Sequence, residues 1–492
     1  MNILPPEAMR AWEARETAAG RADAAGLMRA AVDGCARFLL AWPDAPRRLL
    51  VLAGKGNNGN DGLLLAATLR AAGWDVRTVL ADPPESRRPC AWPEVAAEAA
   101  RAAVWPALPV ADAEGGRWTV ADALLGSGAS NAPRGACAEL ITWAAAWKAR
   151  HGGMAVALDA PSGLGTEGPV FPAEATLALG AVQPACLRDA HRALVGRIVP
   201  VLLPLGTAPE PDRFITPEMA ARWVRPLPAA LHKYRRGTVA VWAGVPGMAG
   251  AAVLAARAAV RAGAGLVRLF THPELAPVLA AAVPEVQVAS VDAGTPFPET
   301  LVGAPVLLAG PGVGRSPQAA RLLRRLAEET RAALVLDADA LTLAAADESL
   351  FSLAAGRPVV ATPHAGEWGR FFQDVPAERE EVVDALRRRH SGVVWVAKGP
   401  NTLVGAPDGL TWNGTGNPGM AAAGMGDVLG GMVATLLARG HPAPEAARLA
   451  VCWHGLAADL AARTVPEAVL TAGDVLEHLP QAWAALAEHR RG

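Results

Sequence analysis

The sequence of 492 residues predicts an α/β protein of two domains, each with a parallel sheet between layers of helices. Short runs rich in leucine and β-branched residues alternate with Ala-rich stretches of helical spacing along the whole chain, which is typical of parallel sheets. A Pro-rich polar stretch at residues 206–214 interrupts this alternation, and Thr216 followed by Pro217 predicts the start of a new helix. The two halves share no motif, so we expect a fusion of different domains with a boundary between residues 213 and 214.

Each element is predicted from its own apolar pattern. In the first domain, residues 1–213, helices are predicted over Leu63–Ala72 and Ala136–Ala149, and strands at Leu49–Ala53, Val76–Ala81, Val120–Leu124, Met154–Leu158 and Ile198–Leu203. In the second domain, residues 214–492, a Gly-rich turn opens into a buried helix across Gly424–Arg439, and strands are predicted at Thr238–Ala243, Leu266–Phe270, Val306–Ala309, Ala333–Leu336, Pro358–Ala361 and Val393–Ala397.

Composition and charge narrow the class of protein. Lys and Arg total 46 against 47 Asp and Glu, which argues against a protein that binds nucleic acid or a membrane surface through a basic patch. The five cysteines are scattered without a C-x-x-C pair, as suits a reducing compartment. The first sixteen residues lack the basic-then-apolar pattern of a signal peptide, and the sequence contains no run of 18 apolar residues free of charge. We therefore expect a cytoplasmic protein without nucleic-acid or membrane partners, and we also expect a homo-oligomer.

The first predicted strand is followed by a Gly-rich turn, GKGNNGNDG at residues 54–62. Gly54, Gly56 and Gly59 match the dinucleotide fingerprint, and Asp82 follows where an acidic residue would meet a ribose, so a hydride-transferring Rossmann enzyme is one interpretation. The run of Asn and Asp favours another, since amide and carboxylate oxygens suit a hard cation or a ligand hydroxyl. An ordinary Asn-Gly turn is the structural alternative.

Two more strand ends supply polar groups. Asp122 lies in a strand that leads into a glycine turn, and Asp159 and Ser162 follow the next predicted strand. Because the carboxyl ends of neighbouring parallel strands converge on one crevice, we expect these side chains to lie close together. Taken singly, either aspartate would also suit a helix cap or a turn.

In this order, the motifs G-x-G-N-N-G-x-D-G, D-A-L-L-G-x-G and D-x-P-S-G-L resemble those of the NAD(P)H-hydrate epimerase family, the N-terminal half of bifunctional NAD(P)H-hydrate repair enzymes. The resemblance implies a Rossmann-like domain in which Asn58, Asp122 and Ser162 hold a potassium ion. It implies that Asp159 serves the hydrated nicotinamide as an acid–base group or as a binding group. The family usually has glycine where this chain has Asn60. The implied substrate contacts are Asn57, Asn58, Gly59, Asn60, Asp61, Gly126, Ser127, Gly128, Ala129, Ser130, Asn131, Ala132 and Asp159.

The second domain carries its chemistry in the segment GNPGMAAAGMGDVLGG, residues 416–431. Gly424 and Gly426 would direct backbone N–H groups at an anion from the start of a helix, with Asp427 beside them. A carboxylate next to an anion site can take the proton of a hydroxyl that attacks a terminal phosphate. Tight packing of a Gly-rich helix is the alternative, but it does not explain an aspartate within an apolar stretch.

This segment and the strand-end turns KGPNT, TPHAGE, DADAL and GPGVG resemble the ADP/ATP-dependent NAD(P)H-hydrate dehydratase family, whose fold is ribokinase-like. A lone histidine is more often structural, but His364 lies in a strand-end turn that suits a ligand. Lys398 and the backbone around it could hold nucleotide phosphate. The resemblance implies that the nucleotide contacts Lys398, Gly399, Pro400, Asn401, Thr402 and Gly426, and that the hydrated dinucleotide contacts Ala251, Gly312, His364 and Asp427.

The implied reaction is phosphorylation followed by elimination. Asp427 would deprotonate the hydroxyl of hydrated NADH or NADPH, ADP or ATP would supply the phosphoryl group, and Mg²⁺ would bridge the phosphates. The first domain would supply the S epimer from the R epimer. Two other functions fit the motifs less well. One is a vitamin or sugar kinase with a fused ligand-binding domain, and the other is a non-catalytic protein like the mRNA-decapping scaffolds, whose fold the N-terminal domain resembles.

Overall fold

The structure is a computed structural model, and it describes residues 1–42, 46–108, 117–126, 128–129, 131–206, 208, 213–227, 232, 234 and 236–490. The chain divides into two compact units, Met1–Phe214 and Ile215–Gly492. This division falls one residue after the position at which the sequence places the domain boundary. Among the described helices, none combines the length and the apolar character needed to cross a membrane.

The first unit alternates strands and helices. Its helices are α1 Pro6–Ala18, α2 Ala24–Ala41, α3 Asn57–Ala71, α4 Pro93–Arg101, α5 Ala136–His151 and α6 Arg192–Val195. Its strands are β1 Asn2–Ile3, β2 Arg48–Ala53, β3 Asp75–Leu80, β4 Ala103–Val104, β5 Trp118–Ala123, β6 Gly153–Leu158, β7 Ala175–Leu179, β8 Ala181–Val182 and β9 Arg197–Val201.

Seven of these strands form one sheet in the order β4-β3-β2-β5-β6-β7-β9, and each neighbouring pair is parallel. Both faces are covered, because Leu49 and Val51 of β2 pack in a core with α2 and α3, while Leu50 and Leu52 pack in a second core with α5. Burial on both faces explains the nearly continuous apolar runs from which the strands were predicted. The strand order reverses between β2 and β5, which is where ligands bind in open α/β sheets.

The second unit is larger. Its helices are α7 Pro217–Ala221, α8 Ala249–Arg261, α9 Ala276–Ala282, α10 Glu299–Val302, α11 Pro317–Glu329, α12 Asp339–Ala346, α13 Ser349–Leu353, α14 Ala365–Trp368, α15 Arg379–Arg389, α16 Met425–Ala438, α17 Ala443–Ala461 and α18 Ala472–His489. Its sheet contains β10 Phe214–Ile215, β11 Thr238–Trp242, β12 Leu266–Thr271, β13 Gln287–Ser290, β14 Val306–Ala309, β15 Ala333–Leu336, β16 Val359–Ala361, β17 Val393–Ala397, β18 Leu403–Ala406 and β19 Gly409–Asn413.

The strand order of this second sheet is β10-β19-β18-β17-β16-β15-β14-β11-β12-β13. Its central strands are parallel, but β18 pairs antiparallel with both β17 and β19. The central strands agree with the expected parallel sheet, and β18 and β19 add an antiparallel part to it. The physical reason is the short turn at Pro407 and Asp408, which joins β18 directly to β19 and leaves no room for a crossover helix.

The predicted strands are confirmed to within two residues at each end, and so is the α/β class. One element differs more. Residues 54–62 were expected to form a turn, but the turn ends at Gly56, and Asn57 begins α3. The N-cap is Gly56, which forms no side-chain cap hydrogen bond, and glycine is also accepted at this position. The Asn-rich run is therefore the beginning of a helix that points its N-terminus at the crevice.

Candidate active sites

The first candidate site begins where β2 meets the loop after β5. The Gly54 N–H donates to the Ala123 carbonyl at 3.0 Å. A Cβ atom at Gly54 would lie only 1.9 Å from the Leu124 carbonyl oxygen, so only glycine fits there. This close approach places the first turn of α3 against the end of β5.

Asp122 and Ser162 are in direct contact beneath this turn. The Ser162 hydroxyl donates to Asp122 Oδ1 at 2.7 Å, and the Ser162 N–H donates to Oδ2 at 2.7 Å. The Leu124 N–H also donates to Oδ1, at 3.1 Å, and Asp122 is fully buried. Burial raises the pKa of Asp122 to about 6, although these three hydrogen bonds oppose the rise.

Asn58 completes the group that the sequence predicted. Its Nδ2 atom donates to the carbonyl oxygens of Leu125 at 3.1 Å and Leu158 at 3.3 Å. Its Oδ1 atom is buried and has no hydrogen-bond partner in the described part of the chain. An unpartnered oxygen, a buried carboxylate and nearby carbonyl oxygens form a set of ligands that a hard cation would satisfy. The described residues contain no cluster of three or more His, Cys, Asp or Glu that could hold a metal, so a cation here would combine the single carboxylate of Asp122 with amide, hydroxyl and carbonyl oxygens.

Asp159 faces the same crevice directly after β6. Its backbone is left-handed, with φ of 68°, and its Oδ2 atom accepts from Gln183 Nε2 at 3.4 Å. A Cβ at Gly126 would lie 3.1 Å from Asn58 Cβ and 3.6 Å from Asp159 Oδ2, so these three residues converge. Burial and the nearby charges of Asp159 and Glu13 raise the pKa of Asp61 well above its usual value. The crevice therefore brings a carboxyl whose protonated form is favoured close to a second carboxyl group.

The Asn60 side chain points away from this crevice. Its Oδ1 atom accepts from Arg87 Nη2 at 2.8 Å, and its Nδ2 atom donates to the Arg88 carbonyl at 3.3 Å. The residue is only 1% exposed. The departure from the family's usual glycine therefore adds a contact to the 87–88 loop, and Asn60 can meet a substrate only through its backbone.

The remaining predicted contacts of the first site lie around its rim. Asn57 is exposed in the first turn of α3, and Gly128, Ala129 and Asn131 are exposed in the loop after β5. Ser127 and Ser130 lie outside the described residues. In the described part of the chain, the rim also carries two charged side chains of α1, Glu13 and Arg10, which the sequence analysis did not predict to be at the site. A Cβ at Gly128 would lie 3.7 Å from Arg10 Nη1.

The second candidate site is built at the start of α16. Gly424 caps this helix with a left-handed φ of 87°, and Asp427 is half-buried in its first turn. A helix N-terminus has exposed backbone N–H groups and a partial positive charge, so it favours an anion. Asp427 therefore lies next to the place where a phosphate would be held, as the sequence predicts.

Two strand ends place a buried ion pair beneath this turn. Lys398 follows β17, and its Nζ atom lies 2.7 Å from Oδ1 of Asp337, which follows β15. The Thr362 hydroxyl donates to the same carboxylate oxygen at 2.7 Å. A Cβ at Gly426 would lie 2.9 Å from Lys398 Nζ, so the ammonium lies directly against the backbone of α16. The sequence motifs included the turn that contains Asp337, but they did not predict a role for this residue.

His364 and Glu367 form the neighbouring part of the site. His364 Nδ1 accepts from the Gly366 N–H at 3.0 Å, and His364 Nε2 lies 3.2 Å from Glu367 Oε1. Burial and the charge of Lys398 lower the pKa of His364, while burial raises the pKa of Glu367 to about 7. The neutral imidazole of His364 therefore donates from Nε2 to Glu367 Oε1. Together with the Gly366 contact, this hydrogen bond holds the exposed His364 ring in one orientation.

The other predicted residues of the second site lie on adjacent turns. Gly312 and Ala251 are neighbours, since a Cβ at Gly312 would lie 3.2 Å from Ala251 Cβ. The Lys398 N–H donates to the Pro363 carbonyl at 2.8 Å, which joins the 398–402 turn to the His364 turn. In the 398–402 turn, Gly399 and Pro400 are exposed, and the Thr402 hydroxyl donates to the Gly399 carbonyl at 3.0 Å. Asn401 is left-handed and donates to the Asn413 carbonyl at 2.8 Å.

Comparison with known proteins decides the family. A family model described as NAD(P)H-hydrate dehydratase matches residues 239–481, and one described as YjeF-related protein N-terminus matches residues 24–185. The bifunctional NAD(P)H-hydrate repair enzyme of Escherichia coli K12 is 36% identical over 452 residues, covering 86% of this chain and 82% of that protein. The chain belongs to the bifunctional NAD(P)H-hydrate repair enzymes. The Moorella thermoacetica member of the same name is 34% identical over 480 residues, covering 89% and 87%.

The repair enzyme's second unit also has a structural relative. A ribokinase-like superfamily protein from Enterococcus faecalis is 27% identical, covers 56% of this chain and 97% of its own, and gives a TM-score of 0.50. The two family models therefore correspond to the two units of the structure, and the ribokinase-like fold expected for the second is confirmed.

Proposed function

We propose that this repair enzyme interconverts the R and S epimers of hydrated NADH and NADPH in its first domain, and dehydrates the S epimer in its second domain at the expense of ADP or ATP. The observation that carries the proposal is Asp427, a half-buried carboxyl beside a helix N-terminus. Burial raises its pKa to about 7, the neighbouring Asp337 adds to the rise and Lys398 opposes it. A base with a pKa near the working pH is efficient at proton removal.

In the dehydratase reaction, Asp427 would accept the proton of the hydroxyl on the hydrated ring. The hydroxyl oxygen would attack the terminal phosphorus of the nucleotide, and the bond from that phosphorus to the rest of the nucleotide would break. The phosphorylated carbon would then lose phosphate with help from the ring nitrogen, and the adjacent ring carbon would lose a proton as the double bond forms. The backbone N–H groups of α16 would stabilise charge on the transferred phosphoryl group.

The nucleotide would lie along the 398–402 turn and Gly426, and the hydrated dinucleotide would lie against Ala251, Gly312 and His364. Support comes from the adjacency of these segments, because the Lys398 and Pro363 backbones are hydrogen-bonded and Gly312 packs on Ala251. Mg²⁺ would accompany the nucleotide and neutralise part of the charge on its phosphates.

In the epimerase reaction, we propose Asp159 as an acid–base group at the carbon that carries the hydroxyl. Inversion there requires a proton donor and a proton acceptor close together. Support comes from Asp61, whose protonated form is favoured because burial and the charges of Asp159 and Glu13 raise its pKa. The substrate would contact Asn57, Gly59, the Asn60 backbone, Asp61 and the 126–132 loop.

A potassium ion would be held in the first domain by Asn58, Asp122 and Ser162. The unpartnered Asn58 Oδ1 atom and the raised pKa of Asp122 both support a cation at this position. When bound, the ion would supply positive charge and fix the loops after β5 and β6 around the substrate.

The experiment that tests this function uses the S epimer of hydrated NADH with Mg²⁺ and either ADP or ATP. Released phosphate and NADH absorbance are measured together. The dehydratase predicts one phosphate and one NADH for each nucleotide consumed. A kinase would consume nucleotide and accumulate a stable phosphorylated product without forming NADH, and this result would overturn the proposal.

A further inference from the structure

We propose that Asp337 and Lys398 form a positioning pair that holds Asp427 in place and controls its protonation, and that Lys398 is not a ligand of the nucleotide phosphates. This inference rests on the dehydratase function proposed above. It assigns a role to Asp337, and it replaces the phosphate contact implied for the Lys398 ammonium.

The first argument is the position of the ammonium. Lys398 Nζ lies 2.7 Å from Asp337 Oδ1 and 3.8 Å from Glu367 Oε2, and 18% of its side chain is exposed. It lies against the backbone at Gly426, one residue before Asp427. The ammonium therefore lies beneath the first turn of α16. There it can hold the backbone that carries Asp427 in position and set the electrostatic environment of the Asp427 carboxyl.

The second argument is the balance of charge. Three carboxyl groups act on the single ammonium, those of Asp337, Glu367 and Asp427. Burial alone would lower the pKa of Lys398, but these carboxyls raise it above its usual value. Because the positive charge is already compensated, a phosphate would gain little from it. The N–H groups of α16 remain the better anion site.

The third argument is the set of charged groups around Asp427. Within the described residues, Asp337, Lys398 and Glu367 are the groups that act on it. On α17, His454 is buried and neutral near pH 7, since burial and Lys398 lower its pKa to about 4. On α8, Arg257 and Arg261 are paired with Glu477 of α18. Asp337 and Lys398 therefore have opposite effects on the same base.

The test compares the acid limb of kcat/KM for dehydration in four proteins: wild type, Lys398→Met, Asp337→Asn and the double variant. Loss of the ammonium should move the limb to higher pH by about one unit, and loss of the Asp337 charge should move it to lower pH by a similar amount. The double variant should lie close to wild type, because the opposing charges are both absent.

The double variant also protects the test against misfolding. A single variant leaves one member of the Asp337–Lys398 pair charged and without its partner, and it can fail to fold, whereas the double variant removes both charges of the pair. It should fold, as judged by circular dichroism, and its KM for the nucleotide should rise less than about threefold. Loss of a direct contact to phosphate would raise KM by about tenfold or more.

Two results would overturn the positioning pair. One is that the acid limbs of the two single variants do not move, or move in the same direction. The other is a nucleotide KM raised tenfold in the double variant. Failure of the proposed function is a different result. In that case wild-type protein itself forms no NADH from the S epimer. If wild type is active and the limbs do not shift, only the positioning pair is contradicted.

Discussion

Asp122 and Asp337 are two buried aspartates with similar positions and different neighbours. Each lies at or after a central strand of its sheet, and each accepts a hydroxyl hydrogen bond at 2.7 Å, from Ser162 and Thr362 respectively. Asp337 also has the ammonium of Lys398 at 2.7 Å. No lysine or arginine pairs with Asp122 in the described part of the chain, and its pKa is raised to about 6. The carboxylate of the second site is therefore paired with a cationic side chain of the protein itself, whereas the carboxylate of the first site would be paired with the potassium ion proposed above.

The largest expected effect separates the two activities at the second site. Asp427→Asn should lower dehydration of the S epimer by about 10²- to 10⁴-fold, because the base can no longer accept the hydroxyl proton. Epimerisation should not change. The measurement is NADH formation from the S epimer, with Asp374→Asn, an exposed aspartate, as the matched control. Wild-type dehydration in Asp427→Asn would remove this residue from the mechanism.

Substitution of Asp159 at the first site should impair epimerisation and leave dehydration unchanged. Asp159→Ala should lower enzyme-catalysed conversion of the R epimer by about 10²-fold or more, leaving only spontaneous conversion. Dehydration of the S epimer by the same sample is the internal control and should match wild type. Chromatographic separation of the epimers measures the effect, and an unchanged rate of R-epimer loss would show that Asp159 is not needed.

Potassium should stabilise only the protein that retains Asp122. At a concentration 100-fold above its dissociation constant, K⁺ should add about 2.7 kcal/mol to the free energy of unfolding of the first domain. The gain should be present above pH 6 and lost as the pH falls through about 6, because Asp122 then takes up a proton and no longer attracts a cation. Thermal unfolding with K⁺ or Na⁺ measures this shift.

The matched variant for the potassium prediction is Asp122→Asn, which keeps the size of the side chain and removes its charge. It should lose the K⁺-dependent shift. An equal shift in this variant would mean that potassium binds elsewhere.

The smallest expected effect compares the two hydroxyl donors. Ser162→Ala should lower the free energy of unfolding by about 1.5–3 kcal/mol, because Asp122 loses a donor and the Leu125 N–H loses the Ser162 acceptor at 2.9 Å. Thr362→Val should cost about 1 kcal/mol, because Lys398 still pairs with Asp337. Urea unfolding of the full chain measures both. A larger loss in Thr362→Val would contradict the difference drawn between the two sites.

Much of the fold could be predicted because strands buried on both faces leave continuous apolar runs. The strand Ala175–Leu179 was not predicted, since its short Ala-rich run lacks that signal. The hairpin of β18 and β19 was also missed, although Asp408 followed by Gly409 is a common hairpin turn and could have indicated it.

The contact between Asp122 and Ser162 followed from the rule that adjacent strand ends converge. The contact between Asp337 and Lys398 did not, because it spans β15, β16 and β17 and depends on the register of three strands. The hydrogen bond between Asn60 and Arg87 also could not be predicted from the sequence, since Arg87 lies in a loop without a periodic pattern. Local motifs thus identified the segments, and the packing of strands was needed to identify the pairs.

The central claim is that one chain holds two activities with different cation requirements. The most direct test follows NADH absorbance after the protein is mixed with both epimers of hydrated NADH, Mg²⁺, and ADP or ATP, with and without K⁺. Full recovery of NADH with K⁺, faster than spontaneous epimerisation allows, and recovery limited to the S fraction without K⁺ would agree with the claim. Absence of NADH with either nucleotide would contradict it.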